Sequence, residues 1–228
     1  GNTLDAFNNT QNQGLSSENV WGNPNTTEEM IDEIADKGFK AIRIPVTWHN
    51  HLIDENYTID PFWMARVKTV VDWCINRGLY VILNTHHDNA NYRAFGSSYG
   101  VGYYPVTKDM VESEKFLYNV WKQIAYAFND GYDHHLIFEG LNEPRLRGLN
   151  NEWWYLVGDP TCHEAEVALN EYNQLIVKAI RETGGNNALR FIMITPLAAG
   201  LDFAINSNFI IPNDAKYNKN NKLIVSIH

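Results

Sequence analysis

Apolar positions along the chain fall into two alternating patterns. Helical spacing runs over 26–37 (Met30, Ile31, Ile34, Ala35), after an Asn25/Thr26 capping region and before Gly38. A continuous apolar stretch, 39–46, then reads as a strand. The pair repeats: a helix over 61–76 ends at Arg77-Gly78 and leads into a strand over 79–84, and a helix over 113–128 precedes a strand over 136–141. A fourth helix, 165–183, stops at Gly184-Gly185 before a strand over 190–194. A weaker helical segment at 201–206 precedes a last strand over 223–227. Helix followed by a short, uninterrupted apolar strand predicts parallel βα units whose strands are covered on both faces.

Two architectures are built from such units. A doubly wound nucleotide-binding sheet calls for a glycine-rich phosphate loop after its first strand, and none of these strands carries one. Polar residues instead collect at strand C-terminal ends: Asn84-Thr85-His86-His87-Asp88 after one, Asn142-Glu143-Pro144-Arg145 after another. A (β/α)8 TIM barrel places its chemistry there, so a barrel is the predicted fold. Five strands, with a possible remnant at Asn2-Thr3-Leu4, make at most six. Their centres lie about 33 to 56 residues apart, and eight such units need on the order of 320 residues. Residues 1–228 therefore read as one partial barrel domain, with the remaining units expected elsewhere in the natural protein or on a partner. The terminal apolar run, which ends without a turn or cap, carries the same expectation.

Composition narrows the function classes. The 228 residues hold 18 Lys+Arg against 27 Asp+Glu, a net charge of −9, which is the wrong sign for a nucleic-acid binder working through a basic field. With 44% hydrophobic and 13% aromatic residues the chain is no disordered segment, and it has no apolar run long enough to span a membrane. Cys74 and Cys162 could form one bridge but not a disulfide scaffold; Cys74, among Val70, Val71 and Trp73, also suits plain core. No signal peptide is visible, and a start at Gly1 rather than Met fits a leader already removed.

Glu143 stands at a strand end with Pro144 fixing the backbone behind it. A carboxyl aimed into a barrel mouth beside aromatic surface suits general-acid work; a surface turn Glu is the bland alternative. Glu139 points to the same side. At about 3.3 Å per residue its Cα lies roughly 13 Å from that of Glu143, beyond the carboxylate pairing that glycoside hydrolysis needs. Its expected role is a buried ion pair with Arg43, which sits inside an apolar strand and must be paired. His86-His87 is a poor metal pair if neighbours on a strand face opposite ways, and no HExxH or cysteine cluster supports a metal, so hydrogen bonding to hydroxyls fits better. His134-His135 precedes a strand and reads as solvated surface on the opposite end. Aromatics crowd the presumed top face: Trp21, Trp48, Tyr92, Phe95, Tyr99, Tyr103, Tyr104, Trp153, Trp154 and Tyr155. They offer stacking faces for a neutral polyhydroxylated chain, with about half expected simply to pack the loops.

Taken in order, GNTLD, WGNP at 21–24, GFKAIRIPVTW, LYVILNTHHD, LIFEGLNEPR, FIMITP and LIVSIH resemble glycoside hydrolase family 5, specifically its subfamily 4 endoglucanases. The resemblance runs from the first residue to the last. It implies a (β/α)8 barrel, covered here from the end of strand one to strand six, that hydrolyses β-1,4-glucan with retention and needs no cofactor or metal. Glu143 matches the acid/base and Asn142 the residue contacting a sugar 2-hydroxyl. Arg43, His86 and His87 match the active-site Arg and paired His, and His228 matches the His ending strand six. Trp21 and Trp48 are the aromatic candidates for sugar contact. The family's nucleophile, a Glu ending strand seven, and its strand-eight Trp have no counterpart in this sequence. A β-glucan-binding protein that has lost its nucleophile is the alternative. Because polymeric glucans lie outside the cell, the enzyme is expected to be secreted; a monomer with no nucleic-acid or membrane partner is expected, and carbohydrate-binding or docking modules would lie outside these residues. Sequons at Asn8, Asn25 and Asn56 permit N-glycans.

Overall fold

The computed structural model describes residues 4–5, 14–90, 102–154, 156, 158–215 and 222–228. Strands β1 (Ala41–Ile44), β2 (Tyr80–Asn84), β3 (Leu136–Glu139), β4 (Ile192–Ile194) and β5 (Leu223–Val225) form one sheet in the order of the sequence. Every pairing is parallel, with Ile42 opposite Val81, Leu83 opposite Phe138 and Met193 opposite Ile224. Each crossover therefore moves one place in the same direction. A doubly wound sheet must reverse direction, whereas a barrel wall never does. Leu4, buried, adds a parallel bridge to Val46 beyond β1, and Thr47 N–H donates to Leu4 O at 3.1 Å, so the end of a sixth strand lies where expected. Asn2 and Thr3 fall outside the described residues.

Helices α1 (Glu28–Asp36), α2 (Pro61–Asn76), α3 (Met110–Ala127), α4 (Pro160–Arg181) and the short α5 (Leu201–Ala204) connect the strands. The α1 cap is Thr27, whose hydroxyl accepts from Met30 N–H at 3.4 Å, one residue beyond the predicted capping pair. Asp60 caps α2, with Pro61 as its first residue. Asp159 caps α4, receiving the N–H groups of Thr161 and Cys162, and Pro160 opens that helix five residues before the periodicity suggested. An Asp-Pro step is a stronger start signal than apolar spacing, because proline's fixed φ and missing N–H cost nothing in the first turn. The strands are shorter than their apolar runs, which continue as buried loop.

The core lies between the strands and the inner faces of α2, α3 and α4, with Val67, Val71, Phe116, Val120, Ile124, Tyr172 and Ile176 excluded from water. Cys74 and Cys162 are both buried and both free, and burial pushes the Cys74 thiol up to about 12. At the N-terminal end of the sheet, Arg190 donates to the carbonyls of Phe128, Tyr132, Asp133 and Leu136, and Arg181 forms a buried bidentate pair with Asp214. His134 and His135 sit at this end beside Asp133, away from the strand C-termini, as expected. The two ends of the wall thus divide between stability and chemistry. Among the described residues, no helix is long and apolar enough to cross a membrane.

Candidate active site

The C-terminal ends of the strands converge on one carboxylate, Glu139, which ends β3 and is 1% exposed. Arg43 of β1 reaches its Oε2 with Nε at 2.8 Å and Nη2 at 2.6 Å. Asn84, the last residue of β2, donates to the same oxygen at 2.8 Å, and Ser226, just after β5, donates to Oε1 at 2.9 Å. His228 Nε2 lies 3.6 Å from Oε1. Burial alone would push this carboxyl up. The nearby His228 ring, the Arg43 charge and the Asn84 and Ser226 donors outweigh it and hold Glu139 below the ordinary carboxylate range. Sealed from solvent and saturated with donors, it is the structural ion pair the sequence predicted and cannot reach a substrate.

Glu143, four residues on, is 26% exposed at its side chain. Its Oε1 lies 3.2 Å from His228 Nδ1; its Oε2 accepts from Arg145 Nη1 at 3.1 Å and Asn142 Nδ2 at 3.4 Å. Asn142 Oδ1 accepts from Arg43 Nη2 at 2.7 Å, which turns its amide N–H towards Glu143. Arg43 therefore orients both the buried carboxylate and the residue beside the exposed one. His228 touches both carboxylates, placing them on the same side as expected. A strained turn supports this: Ala198 and Ala199 both have positive φ (54° and 52°), Ala198 N–H donates to Pro144 O and His228 N–H to Ala199 O. Non-glycine residues in that region persist only where the surroundings enforce it, and here the turn fixes the backbone of both Glu143's neighbour and His228.

The His228 side chain, set against the carboxylates of Glu139 first and Glu143 second, titrates above its ordinary value of 6.5. A raised folded-state value contributes stability that is fully present below the unfolded value and lost as pH climbs through the folded one. Urea midpoints of the full-length protein and its His228→Asn variant should therefore differ most just below the ordinary histidine value and draw together as pH rises above it. A gap that widens with pH would contradict this.

His86 and His87 do not face opposite ways. β2 ends at Asn84, so the strand alternation has stopped, and both rings turn to Asp5: His87 Nδ1 lies 2.9 Å from Oδ1 and His86 Nε2 3.6 Å from Oδ2. Asp5 is fully buried and also accepts the Trp21 indole N–H at 3.1 Å. These three side chains have the proximity of a metal site. The proton positions argue otherwise. Asn84 Oδ1 accepts from Val46 N–H and its Nδ2 donates to Glu139, so that amide donates to His86 Nδ1 at 3.0 Å. His86 Nε2 then carries the proton and has no lone pair for a metal. Burial first, then the nearby His87 and Arg43, push His86 down to about 2, so the ring is neutral. His87 Nδ1 lies against Asp5 Oδ1 at 2.9 Å, which orients its ring.

Of the sequence candidates, Glu143, Arg43, His86, His87, Asn142, His228 and Trp21 assemble at this end of the sheet. Trp48 does not belong with them. It is completely buried, its indole N–H donates to Asn84 O at 2.9 Å and its own N–H donates to Asp88 at 2.8 Å, so it packs the core beneath the site. Tyr103 and Tyr104 are buried too, whereas Trp21, Trp153 and Trp154 are exposed; Tyr92, Phe95, Tyr99 and Tyr155 lie outside the described residues. Sequence reasoning missed Asp5, Asn84, Ser226 and Arg145. The first three share one available signal, a polar residue closing or directly following an apolar strand.

The profile of the cellulase family (glycosyl hydrolase family 5) matches residues 4–228. Endoglucanase B of Ruminococcus albus is 43% identical over 230 residues, covering all of this chain and 49% of that protein. Endoglucanase B of Neocallimastix patriciarum is also 43% identical, with 44% of its length covered. Among solved structures, a family 5 lichenase from Caldicellulosiruptor sp. F32 in complex with cellotetraose superposes with a TM-score of 0.91 at 39% identity, covering all of this chain and 58% of that one. A broad-specificity endoglucanase from Ruminococcus champanellensis with bound cellotriose gives 0.85 at 39% identity, with 61% of its chain covered. The chain thus spans about half the length of the curated relatives it matches. With that match over residues 4–228, and with relatives aligned along its whole length, the chain belongs to glycosyl hydrolase family 5.

Proposed function

We propose that these residues form the acid/base-bearing part of a retaining endo-β-1,4-glucanase acting on cellulose or related β-glucans. The observation that carries the reading is Glu143: an accessible carboxyl at a strand end, with one oxygen on His228 and the other on Arg145 and Asn142. In the first step Glu143 protonates the leaving glycosidic oxygen while a second carboxylate, outside residues 1–228, attacks the anomeric carbon. Glu143, now ionised, takes a proton from water as the water oxygen bonds to the anomeric carbon and the bond to the second carboxylate breaks, releasing the sugar. Asn142 faces the 2-hydroxyl, His87 lies beside it against Asp5 as a further sugar contact, and Trp21, pinned by Asp5, offers its exposed face for stacking, while His86, whose two ring nitrogens face Asn84 and Asp5, holds this arrangement in place. The names of the relatives and the glucan-bound neighbours support the substrate class. Because polymeric glucans lie outside cells, we also place the enzyme in the extracellular space, as a monomer that can carry binding or docking modules elsewhere in its polypeptide.

The test compares the full-length protein with a polypeptide of residues 1–228 on mixed-linkage β-glucan, following the anomer released. Hydrolysis with retention by the former and none above background by the latter is expected. Robust turnover by residues 1–228 alone, abolished by Glu143→Ala, would refute the placement of the nucleophile. Binding without turnover in both would favour the non-catalytic alternative.

A further inference from the structure

Arg145 is a charged contact of Glu143 to which the mechanism above gives no role. Its side chain is only 11% exposed. The guanidinium stacks on Trp153, 3.9 Å from the ring centroid, and Nε lies 3.2 Å from Glu152 Oε1. Nη1 donates to Glu143 Oε2 at 3.1 Å, and the backbone N–H donates to Asn89 Oδ1 at 2.5 Å. Pro144 fixes the chain between Glu143 and Arg145. A planar, stacked guanidinium addresses one chosen oxygen in a way that a flexible ammonium does not.

We propose that Arg145 is a positioning residue for proton transfer: by occupying Oε2 of Glu143, it makes Oε1 the oxygen that carries the acid proton. This rests on Glu143 being the acid/base. Oε2 already receives two N–H donors, from Arg145 and Asn142, so a proton placed there would face other protons. Oε1 receives one donor among the described contacts, His228 Nδ1, and so keeps a second lone-pair direction for the proton, whereas both directions on Oε2 are taken. A proton on Oε1 passes to the glycosidic oxygen in the first step, and a proton from water returns to Oε1 in the second, so the carboxyl ends each cycle as it began. Glu152 completes the arrangement. It shares the guanidinium with Glu143, so Arg145 can orient the acid without presenting it a full uncompensated positive charge, which would favour the ionised form and slow the first step. The stack on Trp153 has the same consequence, since it fixes the plane of the fork while a ring face rather than a carboxylate covers one side.

The test uses the full-length protein with Arg145→Met and Arg145→Lys, assayed on cellotetraose and on 2,4-dinitrophenyl β-cellobioside, whose leaving group needs no proton. Arg145→Met should lower kcat/KM on cellotetraose by about tenfold or more and on the aryl substrate by less than about threefold. Arg145→Lys, which keeps the charge and loses the fork, should fall between. Equal losses on both substrates, or no loss on either, would overturn the proposal. Glu143→Gln is the control. If it shows the same split between substrates while Arg145→Met does not, Arg145 alone is misassigned; if Glu143→Gln shows no split, the acid/base reading itself fails and takes this proposal with it.

Discussion

Glu143→Gln in the full-length protein is expected to lower kcat on β-glucan by roughly 10²- to 10⁴-fold, the usual worth of a positioned general acid. The amide is isosteric and keeps the acceptor oxygen that Arg145 and Asn142 address, so the fold and the neighbours stay in place. What it loses is the proton. Sugar binding, carried by Asn142, His87 and the aromatic faces, should survive, so the change belongs to kcat rather than to KM. Steady-state kinetics on soluble β-glucan checks this. A kcat within about threefold of the parent would show that Glu143 is only a strand-end turn residue.

The second large effect concerns stability. Arg43→Leu strips the cation from a carboxylate that is 1% exposed and already held ionised by its surroundings. Removing one partner of a buried pair typically costs about 3 to 5 kcal/mol, because the remaining charge is left without compensation. Asn84 and Ser226 still donate to Glu139 and His228 stays 3.6 Å away, which places the expected loss at the lower end, about 3 kcal/mol, in urea unfolding. Adding Glu139→Gln should recover part of it, since a neutral amide carries no such penalty. A loss below about 1 kcal/mol for Arg43→Leu alone would mean that water reaches Glu139. Activity should fall in the same variant, because Asn142 loses the donor that orients its amide.

Much of this was legible in residue order, and what was not has identifiable causes. Parallel βα units follow from short apolar runs between helical patterns, and the barrel follows from polar residues gathered at strand ends. The Arg43–Glu139 pair was predictable because a cation inside Ala41–Ile44 has to be paired. Trp48 and the His86-His87 doublet failed for one reason: both lie just past a strand end, where the period of two no longer says which way a side chain points. Trp48 turned inward to donate to Asn84 O, and the two rings turned the same way because a single buried carboxylate, Asp5, receives them both. Asp5 itself was invisible as a partner, since more than 80 residues separate it from the rings. Arg145 was quoted as part of a motif, but its bonds to Glu143 and Trp153 depend on a loop path that apolar spacing does not encode.

The most direct test of the central claim is the anomer formed when Glu143→Ala full-length protein turns over 2,4-dinitrophenyl β-cellobioside in the presence of azide. With the acid/base removed and the nucleophile intact, azide enters from the face that water used and gives the β-cellobiosyl azide. If Glu143 is instead the nucleophile, azide takes its place on the opposite face, and the α-azide would contradict the account.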